Sequence, residues 1–143
     1  MGNCMASHRS KLTILVVDDF DTMLKIIRNI LSELGYNRII TAKNGEIAYQ
    51  VICNEPVDLV ISDWNMPKMS GIELLKTVRS NPETADTPFI MVTAESEKGH
   101  IIEAIKEKVD DYMIKPFNAE MLGGKISHVL NKKRLSRLPT PGA

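Results

Sequence analysis

The sequence has little of what marks an extracellular or membrane protein. It contains two cysteines in 143 residues, Cys4 and Cys53, which lie far apart and outside any CxxC motif, so no disulfide framework is predicted. Its apolar runs are much shorter than the roughly 20 residues that a membrane helix needs. The first ten residues are small and polar and do not form a secretory signal. We therefore expect a cytoplasmic protein without membrane insertion.

An excess of charge of one sign is also missing. Lys plus Arg number 18 and Asp plus Glu number 18, so the formal net charge is +0, which gives no electrostatic reason to expect nucleic acid as a partner. The three histidines, His8, His100 and His128, show no metal-ligand spacing, and we expect them to face solvent. The length fits one domain, and we expect a monomer.

Apolar segments of two kinds alternate along the chain. Short runs rich in β-branched residues predict buried strands near 12–17, 38–42, 57–61, 88–92 and 111–114. Apolar residues at helical spacing predict helices over about 21–34, after Asn44, after Ser70, over roughly 98–108 and after Asn118. This alternation predicts an α/β fold: a doubly wound five-stranded parallel sheet with five helices on its two faces.

Several local signals refine this prediction. Ser70 followed by Glu73 forms a capping-box pattern, and Asn44 and Asn118 are suited to cap their helices. Gly123–Gly124 is expected to loosen the first half of the last helix, because each glycine costs about 1 kcal/mol relative to alanine. In the fourth helix we expect the isoleucines to face inward, namely Ile101, Ile102 and Ile105. The predicted domain spans 12–131, between a flexible lead at 1–11 and a basic, Pro-rich flexible tail at 132–143.

Polar side chains follow the ends of four predicted strands: Asp18-Asp19, Asp63, Thr93 and Lys115. Taken singly, each has an ordinary explanation, such as capping the next helix. Together they predict one shared site, because the carboxyl ends of parallel strands meet at a single edge of the sheet, where ligands bind.

The residue types at this edge favour phosphoryl chemistry. Three close carboxylates repel one another unless a cation joins them, and Mg²⁺ binds through one or two carboxylates while keeping waters for a phosphoryl group. A carboxylate can then act as a nucleophile toward phosphorus, while a cation and a hydroxyl donor flank the transferred group. Lys115 and Thr93 are of the required types, so Asp63 is predicted to accept the phosphoryl group.

Four motifs at these strand ends resemble the receiver domain of two-component response regulators, and among them the single-domain regulators of chemotaxis. They are VVDD at 16–19, SDWNMP at 62–67, MVTAE at 91–95 and KPF at 115–117. The resemblance runs over about residues 11–131. It implies a flavodoxin-like receiver fold with the strand order 2-1-3-4-5.

The resemblance also implies a role for each residue of the site. Asp63 would accept a phosphoryl group from a phosphohistidine on a sensor histidine kinase. Asp19, Asp63 and the backbone carbonyl of Asn65 would hold Mg²⁺, with Asp18 contributing through water. Lys115 would contact the phosphoryl oxygens.

A second group of implied roles concerns switching. Thr93 would move to hydrogen-bond the phosphoryl group and Tyr112 would follow it inward. Asn65 and Glu95 would tune the rate of dephosphorylation, and the Lys115–Pro116 peptide bond would be cis. The face formed by the fourth helix, fifth strand and fifth helix would then bind a flagellar motor switch protein, and an aspartyl-phosphate phosphatase is a further implied partner. Enzymatic activity would be limited to the chain's own phosphorylation and dephosphorylation.

Two alternatives stay open at this stage. The chain could be an isolated receiver domain of a larger response regulator or hybrid histidine kinase. It could also be an aspartate-nucleophile phosphatase, since Asp19 and Asp21 have the required spacing; a flavin-binding module is disfavoured by the acidic loop after the first strand. One departure from the family concerns 108–109, where many receivers have Gly-Ala. Because valine disfavours a left-handed conformation, we expect this loop to take a different path.

Overall fold

Five strands and five helices alternate in the computed structural model, which describes residues 9–94 and 98–136. The strands are β1 (Thr13–Val17), β2 (Arg38–Ala42), β3 (Leu59–Asp63), β4 (Phe89–Ala94) and β5 (Asp111–Lys115). The helices are α1 (Asp21–Glu33), α2 (Gly45–Asn54), α3 (Gly71–Ser80), α4 (Lys98–Lys106) and α5 (Ala119–Ser136). Within these described residues, no helix is both long enough and apolar enough to cross a bilayer.

The strands form one parallel sheet in the order β2-β1-β3-β4-β5, which confirms the predicted fold. Alternate side chains of each strand enter two separate cores. Ile14 and Val16 pack beneath α1 and α5, whereas Leu15 and Val17 pack beneath α2, α3 and α4. The central strands are apolar on both faces for this reason, and their carboxyl ends share one edge of the sheet.

The predicted helix caps are present. Asn44 Oδ1 accepts from the backbone N–H of Ile47 at 2.9 Å, and Asn118 Oδ1 accepts from that of Met121 at 2.8 Å. Ser70 and Glu73 form the complete capping box. The residue after Ser70 must be glycine, because a Cβ at Gly71 would collide with the carbonyl oxygen of Asp63. The start of α3 can therefore lie directly against the end of β3.

The predicted inner face of α4 is wrong in part. Ile102 and Ile105 are 60% and 58% exposed, whereas Ala104 is buried and Ile101 is half-buried. Ile101/Ala104 and Ile102/Ile105 are both helical i, i+3 pairs, and only one pair can face the sheet. The turn after the helix selects the first pair, because Val109 donates its N–H to the Ala104 carbonyl at 3.1 Å and packs in the same core.

That turn also corrects the expectation for 108–109. Lys108 itself adopts the left-handed conformation, with φ 66, and donates its N–H to the Ile105 carbonyl at 3.0 Å. Together with the Val109 bond, this is the Schellman arrangement usually completed by glycine. The path is thus a standard helix end, and the unfavourable φ falls on lysine rather than on valine.

Both predicted flexible ends include residues that contact the domain. Arg9 donates from Nη1 to the Leu34 carbonyl at 2.8 Å, and its guanidinium lies 5.5 Å from the Tyr36 ring centroid. Residues 132–136 continue α5 as helix, and within this stretch Lys133 Nζ forms an ion pair with Asp110 Oδ1 at 3.2 Å. The rest of the predicted lead and tail, 1–8 and 137–143, lies outside the described residues.

Gly123 and Gly124 lie within the continuous helix α5, so the sequence offers a matched pair for a stability test. A Cβ at Gly124 would meet nothing within 4 Å, whereas one at Gly123 would approach Leu34 Cδ2 at 3.3 Å. We expect Gly124→Ala to raise the free energy of unfolding by about 1 kcal/mol through helix propensity. Gly123→Ala should gain less because Leu34 must shift. Urea unfolding of the two variants checks this order, and an equal or larger gain for Gly123→Ala would contradict it.

Candidate functional site

Three carboxylates meet at the carboxyl edge of the sheet. Asp18 and Asp19 follow β1 and Asp63 ends β3; because Val17 pairs with Ser62, the next residue of each strand brings Asp18 beside Asp63. One oxygen from each of the three carboxylates lies within 4.8 Å of the others. The edge predicted from the sequence is therefore an actual cluster of negative side chains.

Asp18 is held in place from two sides. Its side chain is buried, and its Oδ1 accepts from the backbone N–H of Phe20 at 2.9 Å. Its Oδ2 lies 3.9 Å from Lys115 Nζ. Burial raises the pKa of Asp18 above its usual range; the Phe20 hydrogen bond opposes this shift and the nearby Asp63 charge adds to it.

Asp63 has the closest contact with a cation. Its Oδ1 accepts from the backbone N–H of Trp64 at 3.0 Å and lies 3.2 Å from Lys115 Nζ. Burial raises the pKa of the Asp63 carboxyl, and Lys115 is the main group that opposes the shift. The carboxylate is thus at the end of a central strand, nearly buried, and oriented by one amide and one ammonium.

Asp19 supplies the indication that a metal belongs here. Its Oδ1 is buried and, among the described residues, is the one buried side-chain polar atom without a hydrogen-bond partner. Such an atom is costly unless something outside the chain binds it. Carboxylate oxygens converging from Asp18, Asp19 and Asp63 are the ligands that a hard divalent cation such as Mg²⁺ prefers, so the residues present fit this ion.

Protons and Mg²⁺ should compete for this cluster. Without metal, the raised pKa values of Asp18 and Asp63 mean that the folded state binds protons more tightly than the unfolded state, so stability falls as the pH rises through those pKa values. We expect Mg²⁺ at a hundredfold excess over its Kd to stabilise the ionised site by about 2.7 kcal/mol. This increment should shrink in mildly acidic buffer. Thermal unfolding with Mg²⁺, or with K⁺ at equal ionic strength, measures it; an equal effect of the two salts would contradict the site.

The other predicted residues lie around the cluster. Thr93 is buried on β4, one residue beyond Val92, the partner of Asp63. Tyr112 is half-buried on β5, with Lys125 Nζ 5.2 Å from its ring centroid. Asn65 is exposed in the loop after β3, the Lys115–Pro116 peptide bond is cis, and Glu95 lies outside the described residues.

His100 is a residue of this region that the sequence analysis missed. The prediction of a solvent-facing side chain is wrong for His100, whereas His128 is exposed as predicted and His8 lies outside the described residues. The His100 ring stacks on Trp64 with centroids 3.8 Å apart and 4° between the planes, and its Nδ1 lies 3.3 Å from Thr93 Oγ1. Its place in the first turn of the helix after β4 was the available signal, because such turns border the carboxyl edge of the sheet.

Comparison with known proteins assigns this arrangement to a described family. The family model for the response regulator receiver domain matches residues 14–127. A chemotaxis protein CheY homolog of Campylobacter jejuni is 43% identical over 120 residues, covering 83% of this chain and 92% of that protein.

Solved structures agree with this family. A putative response regulator from Chloroflexus aurantiacus superposes with a TM-score of 0.80 at 32% identity, covering 84% of this chain and 98% of that one. The chemotaxis response regulator CheY4 of Vibrio cholerae gives a TM-score of 0.76 at 31% identity, covering 82% and 98%. The range matched by the family model, 14–127, includes the three aspartates of the acidic cluster.

Proposed function

The chain belongs to the response regulator receiver domain family, and from this premise we propose that it is a phosphoacceptor of a chemotaxis-type phosphorelay. In this proposal Asp63 takes a phosphoryl group from a phosphohistidine of a sensor histidine kinase. One observation carries it: the Asp63 carboxylate lies 3.2 Å from Lys115 Nζ and within the cluster formed with Asp18 and Asp19.

The transfer is a nucleophilic displacement at phosphorus. An Asp63 oxygen forms the new P–O bond while the P–N bond to the kinase imidazole breaks, and the imidazole keeps the electron pair and takes up a proton. Lys115 is close enough to Asp63 to contact the phosphoryl oxygens as their charge changes. Trp64 N–H fixes the orientation of the carboxylate through Oδ1. Positioning and charge neutralisation are thus the main contributions of the protein.

Mg²⁺ is the proposed cofactor of this step. Asp18, Asp19, Asp63 and the backbone oxygen of Asn65 would hold it, and when bound it supplies the positive charge that makes carboxylate and phosphoryl group compatible. The buried, unpartnered Asp19 Oδ1 supports this assignment. The phosphatase alternative loses support, because Asp21 forms an ion pair with Lys43 at 2.9 Å on the exposed surface.

We propose that the phosphoryl group switches the face formed by α4, β5 and α5. Phosphorylation adds a charge of about −1.5 to −2, to which the Thr93 hydroxyl can donate a hydrogen bond. Tyr112, packed beside β4, would move into the space that Thr93 leaves, and Asn65 and Glu95 would tune dephosphorylation.

A flagellar motor switch protein is the proposed partner for that face. The exposed Ile102 and Ile105 of α4 give it an apolar surface, and the similarity to a chemotaxis protein favours this kind of partner. We further propose a cytoplasmic monomer whose receiver domain spans 12–131 and which catalyses only its own phosphorylation and dephosphorylation, with an aspartyl-phosphate phosphatase acting on it.

Incubation with a small phosphodonor and Mg²⁺, followed by intact mass spectrometry, tests the proposal. We expect one phosphoryl adduct that is lost in base and that does not form when Mg²⁺ is chelated. Borohydride reduction of the acyl phosphate, followed by peptide mapping, should place the modified aspartate at 63. An adduct on another residue, or equal phosphorylation with and without Mg²⁺, would contradict the proposed site.

A further inference from the structure

His100 joins two parts of the site that are otherwise separate. Its ring lies flat on Trp64, the residue whose N–H orients the Asp63 carboxylate, and its Nδ1 lies 3.3 Å from the hydroxyl oxygen of Thr93. Thr93 and Trp64 are both almost completely buried, at 2% and 6% exposure. Bulk water is therefore not available to the Thr93 hydroxyl. If the hydroxyl gives up its contact with the imidazole, it must move toward another polar group.

We propose that His100 is a positioning residue that holds Thr93 in the unphosphorylated conformation and so sets the balance between the two states of the switch. This inference rests on the proposed function, in which the Thr93 hydroxyl donates to the phosphoryl group. A hydroxyl has one proton, so a Thr93 that donates to the phosphoryl group cannot also donate to His100. Phosphorylation must therefore break this contact, or leave Thr93 as the acceptor in it with the proton on Nδ1.

The stack on Trp64 keeps the imidazole where it can make this bond. Rings 3.8 Å apart and 4° from parallel restrict the histidine side chain to one plane, which fixes Nδ1 relative to Thr93. The Trp64 ring is in turn fixed by its burial in the core beneath α3. His100 is therefore preorganised for the unphosphorylated state rather than adapting to it.

A set of His100 variants separates the hydrogen bond from the stack. His100→Phe keeps an aromatic ring on Trp64 but cannot bond Thr93; His100→Asn offers a polar group to Thr93 without the stack; His100→Ala removes both contacts. A net hydrogen bond changes a two-state equilibrium by about two- to tenfold. We expect His100→Phe and His100→Ala to bind beryllium fluoride, an analogue of the phosphoryl group, about two- to tenfold more tightly than wild type in saturating Mg²⁺. His100→Asn should stay closer to wild type.

A double-mutant cycle assigns the effect to Thr93. In a Thr93→Ala background there is no hydroxyl to hold, so His100→Phe should leave beryllium fluoride affinity unchanged there. Unchanged affinity in His100→Phe and His100→Ala, or an equal gain with and without Thr93, would overturn the inference. If wild type binds no beryllium fluoride and accepts no phosphoryl group, the proposed function itself fails. If wild type does both but the His100 variants behave like it, only the inference about His100 fails.

Trp64 gives a second readout that does not depend on binding. It is the single tryptophan of the chain, and its emission reports on what packs against the indole ring. We expect phosphorylation to change the emission of wild type, and to change that of His100→Ala less because the stacked ring is gone. An equal change in the two proteins would overturn the inference.

Discussion

Asp63→Asn is expected to abolish phosphorylation while making the metal-free protein more stable. The amide is nearly isosteric with the carboxylate but is not a nucleophile toward phosphorus, so no adduct should form. The Asp63 pKa is raised chiefly by burial, and a carboxyl whose folded pKa is raised destabilises the fold when ionised. Neutralising it should therefore raise Tm near neutral pH, and the gain should shrink as the pH falls through the raised pKa. Intact mass and thermal unfolding without Mg²⁺ measure the two effects.

Asp21→Asn is the matched control for this variant. Asp21 lies two residues after Asp19 but is exposed and pairs with Lys43. This replacement should leave phosphorylation intact and change the unfolding free energy by no more than about 0.5 kcal/mol. Stoichiometric phosphorylation of Asp63→Asn would show that another residue is the acceptor. A fall in Tm without metal would instead show that the contact with Lys115 outweighs the cost of burying the charge.

The position of the acidic cluster follows from sequence because strand ends are easy to locate and a parallel sheet aligns them. Asp18 and Asp63 each follow an apolar run, and the register of β1 with β3 then places them side by side. No knowledge of side-chain rotamers is needed for that step. The fit of the cluster to a hard divalent cation follows from residue type alone.

The orientation of α4 could not be predicted in the same way. Its sequence contains two apolar pairs, and the Schellman turn at Lys108 determines which pair faces the sheet. Glycine at this position would have indicated the turn, but the residue here is lysine. The position of His100 depends on the same helix, because His100 and Ala104 are four residues apart and so lie on the same helical face. These features arise from packing between elements, which the hydrophobic periodicity of a single element does not predict.

Arg79→Met is expected to lower the free energy of unfolding by about 3 kcal/mol or more. The Arg79 side chain is 10% exposed and forms an ion pair of 2.9 Å with Asp110. It also donates to the backbone carbonyls of Lys108, Ala85 and Thr87 at 3.1, 2.9 and 2.7 Å. Methionine keeps the apolar stem but leaves these acceptors without their donor. Urea unfolding monitored by circular dichroism measures the loss.

Two features of the structure sharpen this test. Arg28→Met is the control, because Arg28 is exposed and donates one 3.3 Å hydrogen bond to the Ile39 carbonyl, so its loss should cost much less. Asp110 accepts a hydrogen bond from the N–H of Phe89 at the start of β4. This contact lies at the end of the sheet opposite to Asp63. Well below its Tm, Arg79→Met should therefore accept a phosphoryl group at the wild-type rate. A loss of stability no larger than that of Arg28→Met would mean that Lys133, which also contacts Asp110, compensates for the missing guanidinium.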